Sequence, residues 1–365
     1  MKQRLIAAIL VLVLLEGCTA IPQNFIYEPK GEININYNNI YDSEFAIAKD
    51  AAYYSHLPIY TKYLLRLSEK GETKITSRAY NTMYDIQLQN DKVYYLSGAK
   101  NPPVSLTDTD TSYRLEDLCS YDPATNQIQH IMYLGDVWRY MVYRDYVFWQ
   151  SDYDSPLYFS PLQNQKTVKI CDSVTTFGVM GDKIVYVTPT DDGFSLYHYS
   201  IEQRIAICLG KFQDPPSDYV KEFEELPPDY AMRIHFNFTS DKTIHCDIFE
   251  SSILFYDWKT NTVQTIQVEG EISHFTAYEN YAFYVVNDGT WNTLYRMDLK
   301  TGNSEKVAQK EKIKFIVVTS DNDVYAAVPK PEDISPEDEL TTRPTQAIHF
   351  SMITGSAKVI FEYYY

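Results

Sequence analysis

From residue 45 onward the chain alternates short apolar runs with polar turns rich in Gly, Asp and Asn, and few apolar stretches follow a helical period. The segment 174–209 shows the pattern: strand-like runs at 174–179, 184–188, 196–200 and 204–209, separated by Met180-Gly181-Asp182-Lys183, Asp191-Asp192-Gly193 and Ile201-Glu202-Gln203. Four strands of this length joined by tight turns predict an antiparallel meander, and 272–308 repeats it. The expected fold class is all-β.

One phrase recurs through the chain: Leu64-Leu65-Arg66-Leu67, Leu118-Cys119-Ser120-Tyr121, Leu157-Tyr158-Phe159-Ser160, Leu196-Tyr197-His198-Tyr199, Leu254-Phe255-Tyr256-Asp257, Leu294-Tyr295-Arg296-Met297 and Ile348-His349-Phe350-Ser351. The first residues are separated by 54, 39, 39, 58, 40 and 54 positions, a base period near 40 with three insertions. A lone four-stranded sheet cannot bury both faces, so such repeats pack radially into a β-propeller. Sheets are expected at 45–76, 83–133, 138–171, 174–209, 234–268, 272–308 and 313–362, which makes seven blades. Six or eight blades stay open, because the first and last copies are degenerate and residues 33–37 offer one more strand to close the ring. A solenoid stack is the other arrangement; closure removes its long exposed edges.

The N-terminus changes the setting. Lys2 and Arg4 precede an apolar run from Leu5 to Leu15 that is short for a spanning helix and reads as an export signal. Leu15-Glu16-Gly17-Cys18 resembles the lipobox of bacterial lipoproteins, which implies acylation of Cys18 and cleavage before it; Glu16 departs from the usual pattern. A plain secretory signal is the alternative. The expected organisation is a signal at 1–17, a polar tether at 18–40 and one propeller at 41–365. With 49 acidic against 32 basic residues, a net charge of −17, the chain is a poor nucleic-acid binder, and only the lipid anchor is expected to hold it at a membrane.

Tyr284-Val285-Val286-Asn287-Asp288-Gly289 followed by Leu294-Tyr295-Arg296-Met297-Asp298-Leu299-Lys300-Thr301-Gly302 resembles the bacterial propellers that are similar to the YWTD propeller of low-density-lipoprotein-receptor-related proteins. The resemblance covers roughly 45–310 and implies a propeller in a cell-surface setting, with no catalytic residue to carry over.

Insertions at 97–112, 213–232 and 329–344 carry prolines and, in the last two, clusters of acids. The first and third fall between the second and third strands of their blades, a hairpin position shared by Asp152, Tyr153 and Asp154, by Asp191 and Asp192, and by Asp288; Glu337 and Asp338 lie in the third insertion. Equivalent hairpins of a propeller share one face, so that face is expected to be acidic and to serve binding on a rigid scaffold. The plainer account is that Asp and Asn shape turns. No cofactor is expected; a divalent cation held across the acidic loops stays open, although no EF-hand spacing occurs.

Tyr158, Tyr197, Phe255 and Tyr295 recur at one position of the phrase and are expected to pack between blades, whereas Tyr113, Tyr153 and Tyr219 are candidates for stacking on sugars or partner side chains. Cys119, Cys171 and Cys208 fall in strand-like runs and are expected as buried thiols, with a disulfide among them and Cys246 as the alternative. His235 and His245, on successive strands, leave a metal pair open. No serine-hydrolase elbow, zinc-protease helix, phosphate-binding loop or dinucleotide fingerprint occurs, and Asp191-Asp192-Gly193 only partly matches a sialidase-type box. A non-catalytic binding or scaffolding module at the cell surface, with a protein or peptide partner favoured over a glycan, is therefore expected. A propeller hydrolase acting on extracellular polysaccharide and an envelope-assembly factor are the alternatives.

Overall fold

The computed structural model describes residues 45–56, 63–76, 83–98, 115–152, 154–164, 166–191, 193–213, 234–239, 242–247, 252–310, 312–329 and 346–362. Among these residues seven four-stranded antiparallel sheets are formed, each from a contiguous stretch with its strands in sequence order. We number them as blades in chain order. Blade 1 holds β1 (Phe45–Ile47), β2 (Ala51–His56), β3 (Tyr63–Ser68) and β4 (Gly71–Lys74). Blade 2 holds β5 (Met83–Gln89), β6 (Lys92–Gly98), β7 (Leu115–Asp122) and β8 (Gln127–Asp136). Blade 3 holds β9 (Arg139–Tyr143), β10 (Tyr146–Gln150), β11 (Ser155–Pro161) and β12 (Val168–Val174). Blade 4 holds β13 (Thr176–Met180), β14 (Lys183–Thr190), β15 (Gly193–Ser200) and β16 (Ile205–Gln213). Blade 5 holds β17 (Ile234–Phe238), β18 (Thr243–Asp247), β19 (Ser252–Asp257) and β20 (Thr262–Gln267). Blade 6 holds β21 (Glu271–Tyr278), β22 (Tyr281–Asn287), β23 (Asn292–Asp298) and β24 (Ser304–Lys310). Blade 7 holds β25 (Phe315–Ser320), β26 (Asp323–Val328), β27 (Gln346–Ser351) and β28 (Ser356–Glu362).

The alternation of strand side chains explains why inner strands are apolar on both faces. In β2, Ala52 and Tyr54 pack with Val317 and Tyr325 of blade 7, while Ala51 and Tyr53 pack with Val93 and Tyr95 of blade 2. Each sheet thus feeds two cores. Further clusters join blades 2 and 3, 3 and 4, 4 and 5, 5 and 6, and 6 and 7. Blades 7 and 1 meet through Phe315 and Phe45, whose ring centroids are 5.2 Å apart, and through Ile360. Among the described residues β1 and β28 belong to different sheets, and blades 7 and 1 meet there by side-chain packing.

The recurring phrase marks a β-bulge. Where β3-type and β4-type strands pair, the register shifts at Leu118/Cys119, Leu157/Tyr158, Leu196/Tyr197, Leu294/Tyr295 and Ala347/Ile348. The extra residue on the outer strand is Ile131, Ile170, Leu209, Val307 or Ile360, and each of these packs in an inter-blade cluster. A bulge turns an aliphatic residue of a largely exposed strand inward.

The same ladders correct the sequence frame at two copies. Asp122, Asp257 and Asp298 each accept backbone N–H groups two and three residues on, which fixes the turn after the third strand. Tyr121 and Tyr256 bond Asn126 and Asn261 alike. The residue equivalent to Leu118 is therefore Ile253, not Leu254, and in blade 7 the bulge places it at Ala347, not Ile348. In this frame Leu64, Leu118, Leu157, Leu196, Ile253, Leu294 and Ala347 are all fully buried. Phe255 consequently leaves the aromatic set. Tyr158, Tyr197 and Tyr295 remain half-buried and stack within their own sheets on Trp149, Tyr186 and Tyr284, at 5.7, 5.2 and 5.4 Å, while bordering inter-blade clusters.

A second correction concerns the cysteines. Among the cysteines whose side chains are described, Cys119 is buried, Cys171 half-buried and Cys208 exposed, because the outer strands that carry the last two turn one face to solvent. The proposed tether, residues 33–37 and the three insertions lie wholly or almost wholly outside the described residues.

Candidate binding face

First strands of successive blades adjoin around the ring, so every hairpin joining a second to a third strand lies at one end. Asp152 and Asp154 sit between β10 and β11, Asp191 closes β14, and Asp288 lies between β22 and β23. The structure thus brings these four predicted acids to one face. Tyr153, Asp192, Glu337 and Asp338, like Cys18, Tyr113 and Tyr219, lie outside the described residues.

The side chains of Asp154 and Asp288 accept hydrogen bonds. Asp154 adopts a left-handed φ of 52°, and its Oδ1 accepts the Thr175 hydroxyl at 2.8 Å, tying the blade 3 hairpin to the entry of blade 4. Burial pushes its carboxyl up and the Thr175 bond opposes that. Asp288 accepts the backbone N–H groups of Thr290 at 2.9 Å and Trp291 at 2.7 Å, and these bonds hold its carboxyl below the usual range. Asp191 is exposed, and Asp152 contributes its backbone, whose carbonyl accepts the Ser155 hydroxyl at 2.7 Å.

Beneath the hairpins the inner strand starts carry polar groups that the sequence pattern did not single out. Arg139, fully buried, pairs with Gln150 in the ladder, donates to the Thr176 hydroxyl and lies 4.9 Å over the Phe177 ring. Gln150, also fully buried, donates to the Val174 carbonyl. His274, midway along β21, touches the Ser273 hydroxyl at 3.2 Å, and burial lowers its pKa to about 4, which leaves the ring neutral. Trp291 is 38% exposed directly beside Asp288, an aromatic surface whose signal is its place in the Asn287-Asp288-Gly289 hairpin.

His235 pairs with Cys246 and His245 with Phe236, so the two histidines are not ladder partners. Among the described residues no group of three or more His, Cys, Asp or Glu gathers. In the same set no helix is long and apolar enough to cross a membrane.

No protein-family model and no curated protein matches the chain. Solved structures do. The β-propeller domain of the trilobed protease from Pyrococcus furiosus, described as having an open velcro topology, is 10% identical with a TM-score of 0.57, over 91% of this chain and 97% of that one. The acylaminoacyl peptidase of Pyrococcus horikoshii is 9% identical with a TM-score of 0.56, over 88% of this chain and 52% of the peptidase. An oligogalacturonate lyase in complex with manganese is 9% identical with a TM-score of 0.52, over 86% and 85%. At such identities the likeness establishes the fold, which is a β-propeller.

Proposed function

We propose that this chain is an exported propeller, anchored through an acylated Cys18, that works as a non-catalytic binding module and reads its partner with the hairpin face. The observation that carries the reading is the placement, at the same end of the ring, of exposed Asp191 on blade 4 and, on blade 6, of the Asp288 turn with the exposed ring of Trp291. Acids beside a half-exposed indole suit a partner that offers cationic and apolar side chains, so a protein or peptide ranks above a glycan. The similarity to a peptidase and a lyase rests on the fold and transfers no chemistry.

A pull-down from envelope extract with the detergent-solubilised full-length chain tests this. Retention of a partner that is lost on replacing Asp191 and Trp291 together supports the reading. Cleavage of an extracellular-polysaccharide panel with no retained partner favours the hydrolase instead. Fractionation of cells carrying Cys18→Ser tests the anchor, and unchanged processing with full membrane retention defeats it.

A further inference from the structure

The outer strands of blades 4 and 5 face each other across a groove lined by exposed aliphatic side chains. In β16, Ile205 and Ile207 stand opposite Ser200 and His198 of β15, on the sheet face that carries Leu196 into the cluster joining the two blades. In β20, Val263 stands opposite Tyr256, which packs into the same cluster from blade 5. Directly paired residues of antiparallel strands point to the same side of their sheet, so all three side chains look into the groove. They are 47%, 46% and 46% exposed. Trp258, half-buried against that cluster, sits at the end remote from the hairpins, where Lys183 of blade 4 and Lys259 of blade 5 lie 5.5 and 5.6 Å from its ring. Among the described residues neither lysine forms an ion pair.

The edges of these two strands decide what the groove takes. Among the described residues no strand lies beyond β16 or β20, so alternate N–H and C=O groups along each face outward. Sheet edges are ordinarily guarded by charge: β4, β12, β24 and β28 carry residues of both signs, and β8 has the His130–Asp117 pair. By contrast β16 is uncharged from Ile205 to Gly210, and β20 throughout. An unguarded edge beside an aliphatic groove accepts another strand, and two unpaired lysines at its end select carboxylates. A second copy suits it poorly, because two chains of charge −17 repel. We propose that this groove docks an extended acidic and apolar segment of a partner protein, which adds a fifth strand to blade 4 along β16. Its small aliphatic side chains lie against Ile205, Ile207 and Val263. Antiparallel pairing, the tighter ladder, brings the C-terminal end of the segment to Lys183 and Lys259, where its acidic side chains are held. The groove is on the outer rim and does not rest on the reading of the hairpin face.

The test follows by fluorescence anisotropy a labelled, C-terminally amidated peptide, in which threonine and valine alternate and two aspartates close the chain, titrated with the detergent-solubilised full-length protein. Saturable binding is expected, weakened about 10-fold by Ile207→Lys and by Lys183→Glu and lost when alternate peptide nitrogens are methylated. Ile128→Lys, at an exposed position on the outer strand of blade 2, should leave it unchanged. Val263→Lys, on the opposite wall, repeats the test without touching β16, and thermal melts verify that each variant folds. Absent binding, equal binding in Ile207→Lys and Val263→Lys, or indifference to methylation overturns the proposal. So does a dimer, seen by sedimentation, that Ile207→Lys dissolves and the peptide fails to displace, since the groove then belongs to a second copy.

Discussion

The carboxamide of Gln87 grips the backbone of the next blade at Tyr140: its Nε2 donates to the Tyr140 carbonyl at 2.9 Å and its Oε1 accepts the Val142 N–H at 3.0 Å. Inner strands of adjacent blades are not ladder partners, so side chains supply the hydrogen bonds between them. Asn237 does likewise for the Ala277 N–H at 3.1 Å. Gln87→Leu removes both bonds and leaves a buried N–H and C=O unpaired, at a cost of about 2–4 kcal/mol. Urea unfolding measures it, and a loss under about 0.5 kcal/mol contradicts the clamp.

Close approach between blades 4 and 5 predicts a rescue. A Cβ at Gly178 meets Phe238 Cδ2 at 2.7 Å, and the backbone there has ordinary φ, so the obstacle is the ring alone. Gly178→Ala should destabilise by about 1–3 kcal/mol through overpacking. Combined with Phe238→Leu, the penalty of the Ala should shrink. Additive losses in a double-mutant cycle dispose of the idea.

Much of this was legible in the residues. The period near 40, the strand runs and the turn acids predict four-stranded blades because each reflects local chemistry: alternation, turn geometry and aliphatic spacing. The frame failed at Leu254 and Ile348 because neighbouring apolar residues mimic one another in a sheet buried on both faces, and only the Asp257 turn and the Ala347 bulge resolve it. Long-range partners were invisible. Nothing in the sequence ties Asp154 to Thr175. Trp291 escaped notice because hairpin aromatics resemble strand aromatics until exposure is known.

His274 makes stability fall on acidification. Its folded pKa near 4 lies below the ordinary value of 6.5, the reverse of a histidine that gains an anionic partner. Below pH 6.5 the unfolded chain takes up a proton that the folded chain refuses, so stability drops as pH falls from 6.5 to about 4 and is unaffected above that window. His274→Gln should flatten this part of the profile. Melting temperatures measured from pH 8 to 4 provide the comparison, and parallel curves for the two proteins argue against burial of the neutral ring.

Asp288 separates turn-shaping from recognition. Its side chain accepts two backbone N–H groups and thereby holds Trp291 beside it, so Asp288→Ala should loosen the hairpin, with a modest stability loss of about 0.5–1.5 kcal/mol. Asp288→Asn keeps an acceptor oxygen for the turn and removes the charge. If the face reads a cationic partner, the Asn variant should keep its stability yet bind several-fold more weakly, with the difference fading at high salt. Partner affinity at low and high ionic strength, with amide exchange at Thr290 and Trp291 reporting on the turn, distinguishes the cases. Equal affinity for wild type and Asp288→Asn, with loss only in Asp288→Ala, means the acid serves the hairpin and not the partner.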